Sequence, residues 1–293
     1  MSNNDNQVVV VGGAEVREVK IGHGHDLAVI AGPCAIENAS HAFKMVEEIL
    51  KITDEVGLPL IYKSCFDKDC RSSPDSYHGC GIDSGLKILS QIRHDFGVPV
   101  VTDISSAEWA QPTADVVDML QIPAYLCRQT HLLRACAKTG KPLHLKKGQF
   151  MNPRNMKNSL AKIYRENNYQ VLLTDRGTFF GYEELVNDFR SLQIMREFGT
   201  PVCYDATHSI QKPTATGSVS QGLREFIPGL VRSACAMGID ALFMEVHDNP
   251  DEALSDPATQ LDIRYLKNIL LQAKETSQLQ RDTVRRHPTD GLC

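Results

Sequence analysis

Short apolar runs recur along this chain, and most end in a residue able to do chemistry. Leu27–Ala31 leads into Gly-Pro-Cys34, Pro201–Tyr204 into Asp205-Ala-Thr-His208, and Ala241–Met244 into Glu245-Val-His247. Further runs of the same design are Leu58–Lys63, Val98–Thr102, Val117–Ile122, Leu143–Lys146 and Val171–Thr174. Short runs of four to six largely apolar residues, several of them bounded by Gly or Pro, read as buried strands. Between them lie segments with helical periodicity: 40–56, 83–96, 128–138, 155–166, 183–197, 223–237 and 260–278. Several end at a glycine stop such as Gly57, Gly97, Gly140, Gly199 or Gly238. Ser106 is placed to cap a further short helix, and the polar, glycine-containing stretch 64–81 reads as a loop.

Eight strands alternating with helices, roughly 25 to 40 residues apart, predict βα units and a parallel sheet. Eight such units in 293 residues match the size of a (β/α)8 TIM barrel. A doubly wound sheet would gather chemistry at one switch point. Here nearly every strand end carries a polar group, which favours the barrel. Residues 1–26 read as a polar lead-in, with Val8–Val11 and Gly12-Gly13 forming a short β-hairpin that caps one end. Residues 27–280 form the single catalytic barrel, and 281–293 a polar, frayed tail.

Composition narrows the class. Hydrophobic residues make up 42% and charged residues 23%, as in a soluble globular protein. A net charge of −5 argues against a nucleic-acid or membrane-surface partner, though it permits a local basic pocket. There is no apolar run long enough for a membrane span. The N-terminal residues lack the pattern of a signal peptide, and nine cysteines without one point to a reducing, cytoplasmic setting. Most of the cysteines are expected to be small buried hydrophobes.

The barrel places Cys34, Lys63, Asp103, Gln121, Lys146, Arg176, His208 and Glu245 on one rim, where barrel active sites lie. Lys63, Lys146 and Arg176 bring three cations together, which is costly unless an anion neutralises them. A small ligand bearing phosphate and carboxylate would do so. The plainer alternative is that each cation pairs with a barrel carboxylate such as Asp103 or Glu245. Cys34, His208 and Glu245, with Asp256 from the following loop, offer the donors of one divalent metal ion such as Mn, Fe or Zn. The plainer readings are a packed Cys34 and a core His208 bonded to Asp205. Cys65, Cys70, His78 and Cys80 share a loop, but at irregular spacing for a second metal site.

A set of segments in one order carries a family resemblance. They are Ala31-Gly-Pro-Cys-Ala-Ile-Glu37, Lys63-Ser-Cys-Phe-Asp-Lys68, Gln121-Ile-Pro-Ala-Tyr-Leu-Cys-Arg-Gln-Thr130, Lys146-Lys-Gly-Gln-Phe150, Asp175-Arg-Gly177, Phe180-Gly-Tyr182, Asp205-Ala-Thr-His-Ser209 and Met244-Glu-Val-His247. The chain resembles the 3-deoxy-D-manno-octulosonate 8-phosphate (KDO 8-phosphate) synthase family over about residues 27 to 278. The resemblance implies a (β/α)8 barrel, a homotetramer, and condensation of phosphoenolpyruvate with arabinose 5-phosphate or a related phosphorylated aldose, releasing inorganic phosphate. It implies a phosphoenolpyruvate site from Lys63, Lys68, Lys146 and Arg176, with Gln121 and Asp103 nearby. Catalytic roles fall on Lys68, Asp103, His208 and Cys34. Cys34 resembles the metal-dependent form, with His208, Glu245 and Asp256 as the other ligands. Arg71 and Ser72 match residues that hold the aldose phosphate, and Arg128 one that reaches it across a subunit interface. The family role is biosynthesis of the sugar acid of lipopolysaccharide or plant pectin.

The departures lie on the aldose side. Cys70 replaces an Asn that contacts the aldose, Ser105 replaces a His, and His78-Gly-Cys80, His131 and Gln221 also differ from the family pattern. Exchanging Asn for Cys leaves only a weak hydrogen-bonding group. Two alternatives therefore stand beside the expected reaction: the same chemistry on a different aldehyde acceptor, and a non-catalytic, phosphoenolpyruvate-binding sensor.

Overall fold

The computed structural model describes residues 7–69, 75–182, 184–212 and 221–288. Two strands, β1 (Val9–Gly13) and β2 (Val16–Ile21), form an antiparallel hairpin with Val9 opposite Ile21 and Val11 opposite Val19. The barrel then begins with β3 (Ala28–Gly32), α1 (Ala39–Val56), β4 (Leu60–Lys63), α2 (Ile82–Phe96) and β5 (Val100–Asp103). It continues with α3 (Ala110–Ala114), β6 (Met119–Ile122), α4 (Thr130–Lys138), β7 (Leu143–Lys146), α5 (Met156–Tyr164) and β8 (Val171–Asp175). A small hairpin of β9 (Thr178–Phe180) and β10 (Glu184–Val186) precedes α6 (Arg190–Arg196) and β11 (Val202–Asp205). A two-stranded element, β12 (Gln211–Lys212) with β13 (Gln221–Gly222), precedes α7 (Ile227–Ala236) and β14 (Ala241–His247). The chain ends with β15 (Leu261–Asp262) and α8 (Ile263–Arg286).

The parallel strands run in the order β11-β8-β7-β6-β5-β4-β3-β14, and β11 pairs with β14 to close the cylinder. The result is a (β/α)8 barrel preceded by the expected N-terminal hairpin. Strand side chains alternate between faces, and that alternation divides the core. Leu27, Val29, Leu60, Val100, Leu120, Leu143 and Leu242 point out and pack under the helices. Ala28, Ile30, Ile61, Val101, Met119, Leu172, Cys203, Ala241 and Phe243 fill the barrel interior, joined by Val9, Val11, Val19 and Ile21 of the hairpin. The hairpin therefore plugs the N-terminal end with its own apolar face.

Two residues beyond the last interior apolar side chain of five strands, the same parity brings a polar one inward. Ile61 is followed by Lys63, Val101 by Asp103, Met119 by Gln121, Cys203 by Asp205 and Phe243 by Glu245, all buried. The interior is thus apolar at the hairpin end and charged at the other. At Gly32 the backbones of β3 and β4 come so close that a Cβ would lie 1.9 Å from the Lys63 carbonyl oxygen. That approach needs glycine, and it sets Cys34 beside Lys63.

Some boundaries differ from the sequence reading. The helix expected over 183–197 begins only at Arg190, because Gly181 in a left-handed conformation (φ 67°) turns the chain so that Leu185 pairs with Phe179. The last helix runs past 278 to Arg286 through paired polar side chains such as Arg285 with Asp282. The part of the expected frayed tail from 281 to 286 is therefore helical. Ser106 occupies the N-cap position of a 3-10 turn over Ala107–Trp109, but its side chain makes no capping bond.

Candidate functional site

Five strand ends deliver the buried ions at the barrel mouth. Lys63 Nζ, from β4, lies 3.0 Å from Glu245 Oε1 of β14 and 3.6 Å from Asp103 Oδ2 of β5. Lys68, from the loop after β4, reaches the same two carboxylates at 3.5 and 3.8 Å. Lys146 Nζ, from β7, lies 2.5 Å from Asp205 Oδ2 and 3.4 Å from the centre of the Phe243 ring. Phe243 forms the floor, with the rings of His144 and His208 at 5.7 and 5.8 Å. Gln121 donates its amide to Asp103, leaving its own carbonyl oxygen buried and unpartnered.

The alternative in which cations pair with barrel carboxylates therefore holds for Lys63, Lys68 and Lys146. Arg176 is different. Its guanidinium donates to the His208 carbonyl and to Gln211, its Nε is buried without a partner, and among the described residues no carboxylate pairs with it. Neighbouring Lys147 is wholly buried and takes a structural role, bonding to the Gly177 carbonyl and Thr178 Oγ1.

Burial disfavours the charges of Lys63, Asp103, Lys146 and Glu245, and pairing overcomes it at all of them but Lys146. Burial opposes ionisation of Asp103, but Lys63, Lys68 and Lys146 overcome it and hold the carboxyl down at about 2. Glu245 is held well below the carboxylate range against burial by His208, Lys68 and Lys63. Burial and Lys68 pull Lys63 down, yet Asp103 and Glu245 raise it overall. At Lys146 burial outweighs Asp205, and its ammonium falls below the ordinary lysine value.

The expected metal donors are only partly gathered. Ligand atoms of Cys34, Glu245 and Asp256 lie within 4.8 Å of one another. Cys34 Sγ lies 3.0 Å from Ser255 Oγ and 3.3 Å from Asp256 Oδ2. His208 stands at the edge of this group, with Nε2 3.5 Å from Glu245 Oε2 and Nδ1 2.8 Å from Asp205. The bond to Asp205 that the plainer reading expected is present, and it leaves Nε2 facing the carboxylate. Glu245 Oε2 is buried and accepts no hydrogen bond. A thiol, an imidazole oriented by a carboxylate and two further carboxylates suit a divalent transition ion. Burial, Glu245 and Asp256 push the Cys34 thiol well up, so a thiolate there needs added positive charge. The donor set fits the metal that the resemblance implies.

Other expected positions lie elsewhere or outside the description. Cys70, Arg71 and Ser72 fall outside the described residues. Arg128 is exposed and lines a cavity of about 370 Å³ with Phe150, Asn152 and Lys162. Ser105 donates to Asp67 Oδ2 at 3.0 Å. Cys65 is buried with its thiol on the Asp67 carbonyl, and neither it nor Cys80 joins a metal-sized cluster among the described residues. Sequence reasoning gave no role to Phe243, and to Asp205 only that of a partner for His208, not for Lys146. The parity of their strands, two residues apart from known interior positions, is the signal that places them.

The fold and this charged mouth define an enzyme class that comparison makes specific. The chain belongs to the DAHP synthetase I family, whose model matches residues 3–281. Within it, the chain is similar to proteins named 2-dehydro-3-deoxyphosphooctonate aldolase, and it is an enzyme of this type. The relative from Syntrophotalea carbinolica is 46% identical over 87% of this chain and 92% of its own. Those from Synechococcus and Rickettsia typhi are 49% and 43% identical, covering 85% and 92% of this chain and 88% and 98% of theirs. Among the described residues no helix is long and apolar enough to cross a membrane.

Proposed function

We propose that the chain condenses phosphoenolpyruvate with arabinose 5-phosphate, or a closely related phosphorylated aldose, giving a 3-deoxy-2-ulosonate phosphate and inorganic phosphate. The observation that carries this reading is Arg176, a buried guanidinium that has no carboxylate partner among the described residues, at the same barrel mouth as three paired lysines. Arg presents a fork matched to phosphate or carboxylate. A ligand carrying both groups would use Arg176 and draw on Lys63, Lys68 and Lys146.

In this reading the C2–C3 double bond of phosphoenolpyruvate supplies the electrons. C3 bonds to the aldehyde carbon, the carbonyl oxygen takes a proton, and C2 becomes oxocarbenium-like. Water adds to C2 and loses a proton. The C2–O bond to phosphate then breaks as the ketone forms, releasing inorganic phosphate. Asp103 and Glu245, both held ionised, would stabilise the positive charge developing at C2, and the cations would hold the phosphate throughout. Asp205 holds His208 through Nδ1 and Lys146 through Nζ, fixing both for substrate. Cys34, His208, Glu245 and Asp256 would hold one divalent ion, which when bound supplies Lewis-acid charge to polarise the acceptor or water.

A second reading, the same chemistry on another aldehyde, draws on Ser105. Its short hydroxyl is committed to Asp67 where the family pattern has an imidazole. Arg128, exposed beside Phe150, fits an aldose phosphate reached across the interface of a homotetramer.

Phosphate release from phosphoenolpyruvate, with arabinose 5-phosphate and then erythrose 4-phosphate as acceptor, tests the proposal. Turnover with arabinose 5-phosphate is expected. Turnover only with another aldose would favour the second reading, and phosphoenolpyruvate binding without release under any condition would sink both.

A further inference from the structure

Behind the barrel mouth lies a second cluster of metal-ligating side chains that the chemistry above does not use. Asn38 caps α1 by accepting from the His41 backbone N–H at 2.9 Å. The cap brings Glu37 and His41 to the start of that helix, facing the end of β14, where His247 and Asp248 follow Glu245. One ligand atom each from Glu37, His41 and His247 lies within 4.8 Å of the others. The two imidazoles have ring centres 4.5 Å apart, with their planes tilted by 39°. His247 Nε2 lies 3.2 Å from Glu37 Oε1. Asp248 Oδ1 touches a nitrogen of each ring, at 3.0 Å from His41 Nε2 and 3.1 Å from His247 Nδ1. The remaining ring nitrogen, His41 Nδ1, is buried with no hydrogen-bond partner.

That orphan atom separates the cluster from an ordinary hydrogen-bonded histidine pair. If His41 Nε2 carries the proton and donates to Asp248, Nδ1 holds a buried lone pair that no donor meets. A metal-ligating histidine is commonly held in this way, with its far nitrogen on a carboxylate. We propose that Glu37, His41 and His247 bind a second divalent transition ion of the zinc type, separate from the Cys34 site. Asp248 orients both imidazoles from behind, and Lys44, 2.7 Å from its other oxygen, balances its charge. Two imidazoles and one carboxylate, with water in the remaining position, form a tetrahedral set that suits zinc.

Binding requires one proton to move. In the structure His247 Nδ1 accepts from the Asn249 N–H at 3.0 Å, which puts the ring proton on Nε2, facing Glu37. To bind through Nε2 the ring takes the other tautomer, with the proton on Nδ1 given to Asp248 Oδ1. The Asn249 N–H keeps a partner, because Asp248 Oδ1 also lies 3.1 Å from it. No buried donor is stranded.

The ion would act by position. Glu37 Oε1 accepts the Leu254 N–H at 2.9 Å, on the loop that goes on to Ser255 and Asp256 beside Cys34. An ion on Glu37 therefore ties the start of α1, the end of β14 and this loop together. The inference does not depend on the reaction proposed above.

The test is zinc content of the full-length protein after loading with Zn2+ and gel filtration, for wild type, Cys34→Ala, His41→Asn and the double variant. Expected are about two zinc per chain in wild type, about one in each single variant and almost none in the double. Cobalt substitution gives a second reading. Cys34→Ala should show cobalt d–d bands without thiolate charge transfer, and the double variant should lose them. Cys34→Ala binding no zinc, or the double variant binding as much as Cys34→Ala, would overturn the proposal. A His41→Asn loss without any change in Cys34→Ala would instead count against the Cys34 site alone. Circular dichroism of metal-free His41→Asn guards against reading misfolding as lost binding.

Discussion

Lys63 and Glu245 form an ion pair at 3.0 Å in which neither side chain is more than 1% exposed. Such a pair gains little over an apolar replacement, but breaking it leaves a buried charge uncompensated. Glu245→Gln leaves Lys63 with Asp103 at 3.6 Å as its remaining carboxylate. The expected cost is about 3 kcal/mol of stability. Thermal unfolding should show a fall of roughly 5 to 10 °C, with phosphate release abolished. An unchanged midpoint would mean that Asp103 alone satisfies Lys63.

Arg176 offers a test of the anion site that spares the fold. Its guanidinium is held by the His208 carbonyl and Gln211, and among the described residues by no carboxylate. Arg176→Lys keeps the charge and removes the fork. The expected result is a KM for phosphoenolpyruvate about tenfold to a hundredfold higher, the range for a charge-assisted bond, with thermal stability nearly unchanged. An unaltered KM would place the substrate's anionic groups elsewhere.

The barrel was legible because each strand is a short, largely apolar run buried on both faces, and because most carry or lead into a distinct polar residue. Lys63, Asp103, Lys146 and Glu245 could be placed at the mouth because each falls at the end of an apolar run. The pairing among them could not, since the neighbours of Lys63 come from residues 40 and 182 positions away. The metal donors were harder for the same reason: Asp256 arrives on a loop at positive φ (47°), which no periodicity announces. The β9–β10 hairpin was hidden because residues 183–197 carry enough apolar spacing to read as helix. His41 gave no signal at all, because a lone histidine in the first turn of a helix acquires a role only when His247 is folded against it.

His144 links stability to pH. Its ring is enclosed between Phe243 and Thr174, with Nε2 2.5 Å from Thr174 Oγ1. Burial first, and then Lys146, hold its pKa down at about 3. An unfolded histidine titrates near about 6.5. The unfolded state therefore binds the extra proton between these values, so stability is full above about 6.5 and falls as pH drops towards 3. Between pH 6.5 and 5 this one group should cost about 2 kcal/mol. Urea unfolding of wild type and His144→Gln at the two pH values checks it: the variant should lose less stability than wild type by that amount. Equal losses would mean that the ring accepts a proton without leaving its pocket.

Metal affinity at Cys34 should depend on pH in the opposite chemical sense, through a proton that must leave. Burial, Glu245 and Asp256 keep this thiol protonated well above the ordinary range, whereas a metal ligand must be the thiolate. Binding therefore releases a proton, and the apparent affinity should rise by about tenfold per pH unit. Titration with cobalt, followed by the thiolate charge-transfer band, isolates this site from one built of imidazole and carboxylate. The band should form at about tenfold lower cobalt at pH 7.5 than at pH 6.5, and Cys34→Ala should not form it at any concentration. A chelator should abolish phosphate release in wild type, and manganese or cobalt should restore it. Full activity in the metal-free protein would remove the ion from the reaction and leave Cys34 as a packed thiol beside Ser255.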